Sequence, residues 1–214
     1  MSSINQLFDR LDDWRNLPAY QLERRADIFF AIYLQEIVGA RFGWQIQDIL
    51  PEFPIRIDLI NRNRVTNQSI KVDYLIQLKQ QPHFALLELK TDMSSRGLQQ
   101  EGYLKDACSH GVHELVKGIL EINSVTRARG KYKYLLDKLQ LMGLVRYQGK
   151  YEVVTTLPKK ITFAYIQPNN PKQEPNIISF EEAASIIEKR DDELGSRFAK
   201  SLRIWASRAA GGMA

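Results

Sequence analysis

Apolar and polar positions along the chain change period several times, and each change marks an element. Between Ala19 and Val38, residues Leu22, Ala26, Phe29, Phe30, Tyr33, Leu34 and Ile37 recur three and four apart. This spacing predicts an amphipathic helix opened by Leu17-Pro18 and ended by Gly39 and Gly43. Phe53 to Ile60 alternates with period two and predicts a strand broken by Asn61-Arg62-Asn63, and Ile70 to Ile76 and Phe84 to Thr91 predict two more. A helical region follows from about Ser95 to Thr126, where Gly97, Gly102, Gly111 and Gly118 each weaken the helix by up to about 1 kcal/mol relative to Ala. Gly111 is the expected kink. Lys131 to Met142 predicts a helix closed by Gly143, and Val145 to Val154 a hairpin turning at Gln148-Gly149. Ile161 to Gln167 supplies a fourth core strand, and the Pro- and Asn-rich run Pro168 to Asn176 reads as a surface loop. Ser179 with Glu182 three residues later forms a capping box for the next helix. A last helix near Asp191 to Ala209 sets Leu194, Phe198, Leu202 and Trp205 on one face and Arg197, Lys200, Arg203 and Arg208 on the outer side. The fold class is therefore α/β.

Polar residues interrupt the apolar strands at Asp73, Glu88 and Lys90. Strand side chains alternate between faces, so Glu88 and Lys90 point one way while Leu87 and Leu89 point the other. A hairpin turning at the Gln80–Gln81 bond sets Asp73 opposite Glu88. Two carboxylates roughly 5 Å apart repel unless something positive stands between them. A hard divalent cation with oxygen ligands meets that need, and Lys90 would stand beside it and the attacking water. The opposing reading is an ordinary salt-bridge network at a sheet rim.

Asp73 followed some fifteen residues later by Glu88-Leu89-Lys90 resembles the PD-(D/E)XK nuclease superfamily. The resemblance implies a restriction-endonuclease-like αβββαβ core, with a mixed central sheet flanked by helices, over about residues 20–167. It implies that Asp73 and Glu88 bind magnesium, with manganese as a substitute. The backbone carbonyl of Leu89 can add a ligand, and Lys90 orients or activates water. Val72 stands where the eponymous Pro would be. Gln99-Gln100-Glu101-Gly102-Tyr103 resembles the Gln-x-x-x-Tyr helix motif of several branches, and residues four apart share a helix face, so Gln99 and Tyr103 would both face the site. The family often adds an acid from the first helix; Glu23, Asp27 and Glu36 are available, and Glu36, near the helix C-terminus where a negative charge is unfavourable, is preferred.

The formal charge of +5 is concentrated. Between Ser124 and Lys150, Arg127, Arg129, Lys131, Lys133, Lys138, Arg146 and Lys150 face Asp137 alone. Bases interleaved with Tyr132 and Tyr134 suit nucleic acid, since cations meet phosphates and rings stack on bases; a solvated turn between helices is the plain alternative. The helix and basic hairpin of about 127–154 also resemble the recognition half of a winged-helix module, or are a structural insertion.

These readings converge on one domain over residues 1–214, with C-terminal helices at about 179–209 outside the nuclease-like core. The expected activity is a magnesium-dependent phosphodiesterase acting on nucleic acid, DNA foremost. The alternatives are a non-catalytic nucleic-acid-binding or assembly module on the same fold, and an interaction protein. A homodimer would suit a duplex cutter. Cys108 is the single cysteine, so no internal disulfide forms, and Cys108, His110, His113 and Glu114 lack the spacing of a four-ligand zinc site. Nucleotide-binding glycine loops are absent. Without a stretch of about 20 apolar residues or a signal pattern, a cytoplasmic protein that does not enter membranes is expected.

Overall fold

The computed structural model describes residues 2–60, 68–79, 84–92, 98–157 and 161–210. Its elements are α1 (Ser3–Trp14), α2 (Leu22–Phe42), β1 (Ile46–Arg56), α3 (Ile57–Ile60), β2 (Ser69–Leu78), β3 (Phe84–Leu89), α4 (Leu98–Val125) and α5 (Arg129–Leu141). They continue with β4 (Val145–Tyr147), β5 (Tyr151–Val153), β6 (Ile161–Gln167), β7 (Ile177–Ser179), α6 (Phe180–Ile187) and α7 (Glu193–Ala210). The architecture is α/β. A mixed five-stranded sheet has the order β1-β2-β3-β6-β7, and β4 pairs with β5 separately. By packing the chain divides into two compact units.

The first unit comprises Met1–Gln45, Glu88–Arg96 and Ala164–Ala214. Its α1 precedes the first element predicted above, although Ile4, Phe8 and Leu11 recur at helical spacing and the Ser2 hydroxyl caps the helix by accepting from the Asn5 N–H at 3.3 Å. Chain reversal at Ala19, with φ of 61°, delays α2 to Leu22, and the helix runs on through Gly39 to Gly43, whose φ of 69° closes it. An aromatic core joins α1, α2, α6 and α7. The Phe198 ring lies 5.8 Å from Phe8, 5.0 Å from Phe30 and 6.1 Å from Trp205, centroid to centroid. Arg197 is a correction to the expected outer basic row. It is 8% exposed, and its guanidinium donates to Asp9 at 2.7 Å and Asp12 at 2.9 Å because α1 covers that side of α7. Arg203 is likewise engaged, with Glu181 and Glu188. The predicted cap holds: Ser179 Oγ accepts from the Glu182 N–H at 3.2 Å. Just before it, β7 runs parallel to β6.

The second unit comprises Ile46–Leu87 and Gly97–Phe163. Here β1 begins well before the predicted strand, at Ile46, and accommodates Pro51 and Pro54 because it is an edge strand with one ladder to satisfy. Ile57 to Ile60, predicted as strand, is a helical turn. Arg56 pairs with Asp58 at 2.9 Å and with Glu121, folding this turn towards α4. The β2–β3 ladder has the predicted register, with Tyr74 opposite Leu87 and Gln77 opposite Phe84. Gly111, at φ 77° and ψ 165°, breaks α4 where the kink was expected. Gly118 is explained by packing, since a Cβ there would meet Leu59 Cδ1 at 3.0 Å and Arg56 Cβ at 3.2 Å. Gly143 and Gly149, at φ 72° and 79°, close α5 and turn the β4–β5 hairpin as predicted.

Candidate active site

Every residue of β3 is buried, so the strand reads as a continuous apolar run with one charge in it. Glu88 is that charge and is 3% exposed; Lys90, the first residue past the strand, is 4% exposed. The Lys90 backbone N–H donates to the Ile166 carbonyl of β6 at 2.8 Å, which fixes where its side chain starts. Its ammonium donates to Glu88 Oε1 at 3.1 Å and lies 3.6 Å from Glu23 Oε1. A carboxylate, an ammonium and a second carboxylate thus converge at one end of the sheet in the first unit. Such a cluster is costly to bury, because each ion loses water that only good pairing replaces.

Glu23 reaches the cluster from the first turn of α2, where a negative charge also complements the helix dipole. Burial holds its carboxyl above the usual range, against the opposing pull of the Lys90 ammonium and the Thr91 backbone N–H. A carboxyl raised in the folded state contributes stability below its ordinary value of 4.5 and loses it as pH rises through the folded value. Subtracting the unfolding free energy of Glu23→Gln from that of wild type should therefore leave a component falling from pH 4.5 upward. Parallel urea-derived profiles for the two proteins would reject it.

Glu36, the acid preferred from sequence, lies thirteen residues further along α2, about 20 Å at 1.5 Å per residue, and accepts from Arg190 at 3.1 Å. Helical spacing alone gave no means of choosing, since the choice depends on which turn of α2 passes Lys90.

The remaining candidates distribute as follows. Asp73 is half-buried in β2, between buried Val72 and Tyr74. Leu89 is buried at the end of β3. Gln99 stands in the first turn of α4, its side chain outside the described residues, and Tyr103 is half-buried one turn on. Of the basic residues, Lys133 pairs with Asp137 at 2.8 Å, and Arg146 and Lys150 both pair with Glu152 at 3.2 Å. Arg127, Arg129, Lys131 and Lys138 are exposed and have no ion pair among the described residues. Asp137, held below its usual range by Lys133 and the Tyr151 hydroxyl, ties α5 to the hairpin.

Burial pushes the Cys108 thiol up to about 12, which disfavours the thiolate form. His113 Nδ1 and Glu114 Oε1 contact each other at 3.0 Å. Among the described residues no three His, Cys, Asp or Glu side chains form a metal-binding group. Glu88 and the Leu89 carbonyl do supply oxygen donors of the hard kind that magnesium takes, and Glu88 Oε1 is the atom the ammonium holds in place. No described helix is long and apolar enough to cross a membrane. No protein-family model, curated protein or solved structure matches the chain.

Proposed function

We propose that the protein is a metal-dependent nuclease of the PD-(D/E)XK type, hydrolysing phosphodiester bonds in DNA. The observation that carries this reading is the buried Glu88–Lys90 pair at the end of an otherwise apolar strand, with Glu23 completing the cluster. Charge is placed there at a cost that surface pairs avoid, and functional sites are where such costs are accepted. Two backbone features support it. The chain order α2, β1, β2, β3, α4, β6 follows the helix, three strands, helix, strand sequence of a restriction-endonuclease-like core. The β2–β3 ladder pairs Tyr74 with Leu87 in the register the sequence predicts.

In this reading Asp73 and Glu88 hold magnesium, or manganese in its place, with the Leu89 carbonyl as a further donor. The bound cation would lower the pKa of a water and offset charge on the phosphorane-like transition state. Lys90, anchored through its N–H to β6 and through its ammonium to Glu88, orients the attacking water and donates to developing negative charge. Gln99 and Tyr103, one helical turn apart, position the phosphate. Arg127, Arg129, Lys131 and Lys138 supply cations for the nucleic-acid backbone, with Lys133, Arg146 and Lys150 available once their surface pairs open.

Calorimetric titration of magnesium and manganese into wild type and Glu88→Gln, with plasmid and single-stranded DNA cleavage on the same preparations, tests the proposal. Metal binding and cleavage in wild type, both lost in a folded Glu88→Gln variant, are expected; wild type that binds neither cation overturns it. A second reading has its own observation. The Lys90 ammonium lies 3.1 Å from Glu88 and 3.6 Å from Glu23, an ion-paired arrangement that a nucleic-acid-binding module with non-catalytic carboxylates would also have. DNA binding with neither metal uptake nor cleavage would establish that module.

A further inference from the structure

Within the second unit, a cleft of about 530 Å³ opens between the edge strand β1 and helix α5. The apolar part of its strand wall is Ile49, Leu50, Pro51 and Pro54, with Asp48 and Glu52 beside them. The helix wall is a stripe of Lys131, Tyr134, Lys138 and Leu141, whose spacings of three, four and three keep them on one face of α5. Tyr134 is 65% and Leu141 79% exposed, large apolar side chains left in water beside a cavity they could help fill. Lys138 Nζ stands 5.5 Å from the centre of the Tyr134 ring, holding a positive charge at an aromatic face.

We infer that this cleft receives an unpaired base of single-stranded DNA, stacked on Tyr134, with Lys131 and Lys138 meeting the flanking phosphates. The inference rests on the nuclease reading for the identity of the polymer, and it deepens that reading by naming the strand state recognised. The cleft falls in the size range of small-molecule sites, about 300–1,000 Å³, and so has room for a nucleobase. An aromatic ring between cations is the combination that binds single strands without sequence preference. A base inside a duplex is stacked and paired, so it reaches a cleft only after leaving the helix.

Charge complementarity selects the occupant. Lys131 and Lys138 on the helix wall have no ion pair among the described residues, whereas on the strand wall Glu52 is already matched by Lys71 at 2.8 Å, which leaves Asp48 as one carboxylate against two ammoniums in the lining. A peptide adding as a further strand to β1 is disfavoured by the edge itself. Pro51 and Pro54 offer no N–H, and Glu52, at φ 52°, breaks the extended backbone.

The test is fluorescence anisotropy in EDTA with a labelled oligothymidylate and a duplex of equal length, using the full chain, Tyr134→Ala and Tyr134→Phe. Because Tyr134 is mostly exposed, neither substitution should disturb folding. Loss of the ring should weaken oligothymidylate binding about 5-fold or more, the low end of one stacked base, while Tyr134→Phe binds as wild type and duplex affinity is unchanged. Equal affinity of Tyr134→Ala and wild type for oligothymidylate overturns the inference. So does parallel loss on both DNAs, or displacement by an apolar peptide where DNA does not compete. No cleavage is read, so a failed metal titration sinks the nuclease reading without touching this result, and the reverse also holds.

Discussion

Lys90→Ala should lower the unfolding free energy by about 3–5 kcal/mol, the usual consequence of removing one partner of a buried ion pair and leaving the other without compensation. Glu88 is the residue left behind, 3% exposed, with Glu23 beside it as a second carboxylate. For a chain of this size each kcal/mol moves the melting temperature by about 2–4 °C, so a fall of roughly 6–20 °C is expected. Lys90→Met keeps the aliphatic stem and should recover part of the packing but none of the charge balance. Cleavage should fall about 100- to 10,000-fold in both variants if Lys90 serves the attacking water, while magnesium binding survives. Thermal and urea unfolding of the two variants, with cleavage and calorimetry alongside, separate the roles. A Lys90→Ala protein within 1 kcal/mol of wild type would mean that the cluster is open to water, and undiminished cleavage would remove Lys90 from the chemistry.

The second large effect lies away from that chemistry. Phe198 on α7 is fully buried and sits among five other rings, with Phe29 at 5.7 Å and Tyr33 at 6.1 Å joining Phe8, Phe30 and Trp205. Truncation to Ala removes the transfer free energy of a large side chain and leaves a cavity that the rings on α1, α2 and α7 itself cannot all move to fill, a loss of about 3–5 kcal/mol. Phe198→Leu, which refills most of the volume but loses the tilted and edge-on ring contacts, should cost about 1.5 kcal/mol. Urea unfolding of both variants checks the order. If Phe198→Ala costs no more than Phe198→Leu, the aromatic cluster is not tightly packed.

The parts of the fold readable from sequence are those decided by neighbours in sequence. The β2–β3 register follows from period-two alternation on two strands close together in sequence, the predicted turn at Gln80–Gln81 lying outside the described residues, so a slip of one residue would turn Glu88 from its face to the other. Gly111, Gly143, Gly149 and the Ser179 cap are equally local, since each position's conformation or hydrogen bond is satisfied within a few residues. α1 was readable from the spacing of Ile4, Phe8 and Leu11, yet its polar composition hid it.

What failed was decided at a distance. Ile57 to Ile60 alternates like a strand, but ion pairs of Arg56 with Asp58 and with Glu121, far along the chain, favour a turn there. Arg197 has the sequence context of a surface base and becomes buried only because Asp9 and Asp12 arrive from the opposite end of the chain. The basic run looked uniform, although Asp137 and Glu152 already occupy Lys133, Arg146 and Lys150. By itself the sequence determined the class, the hairpin register and the placement of Glu88 and Lys90 on one face, because backbone periodicity and turn chemistry act over a few residues. Only the tertiary structure decided that Glu23 rather than Glu36 meets Lys90, and that β1 and α5 enclose a cleft. Both depend on which surfaces of distant segments pack together, and helical spacing does not encode that.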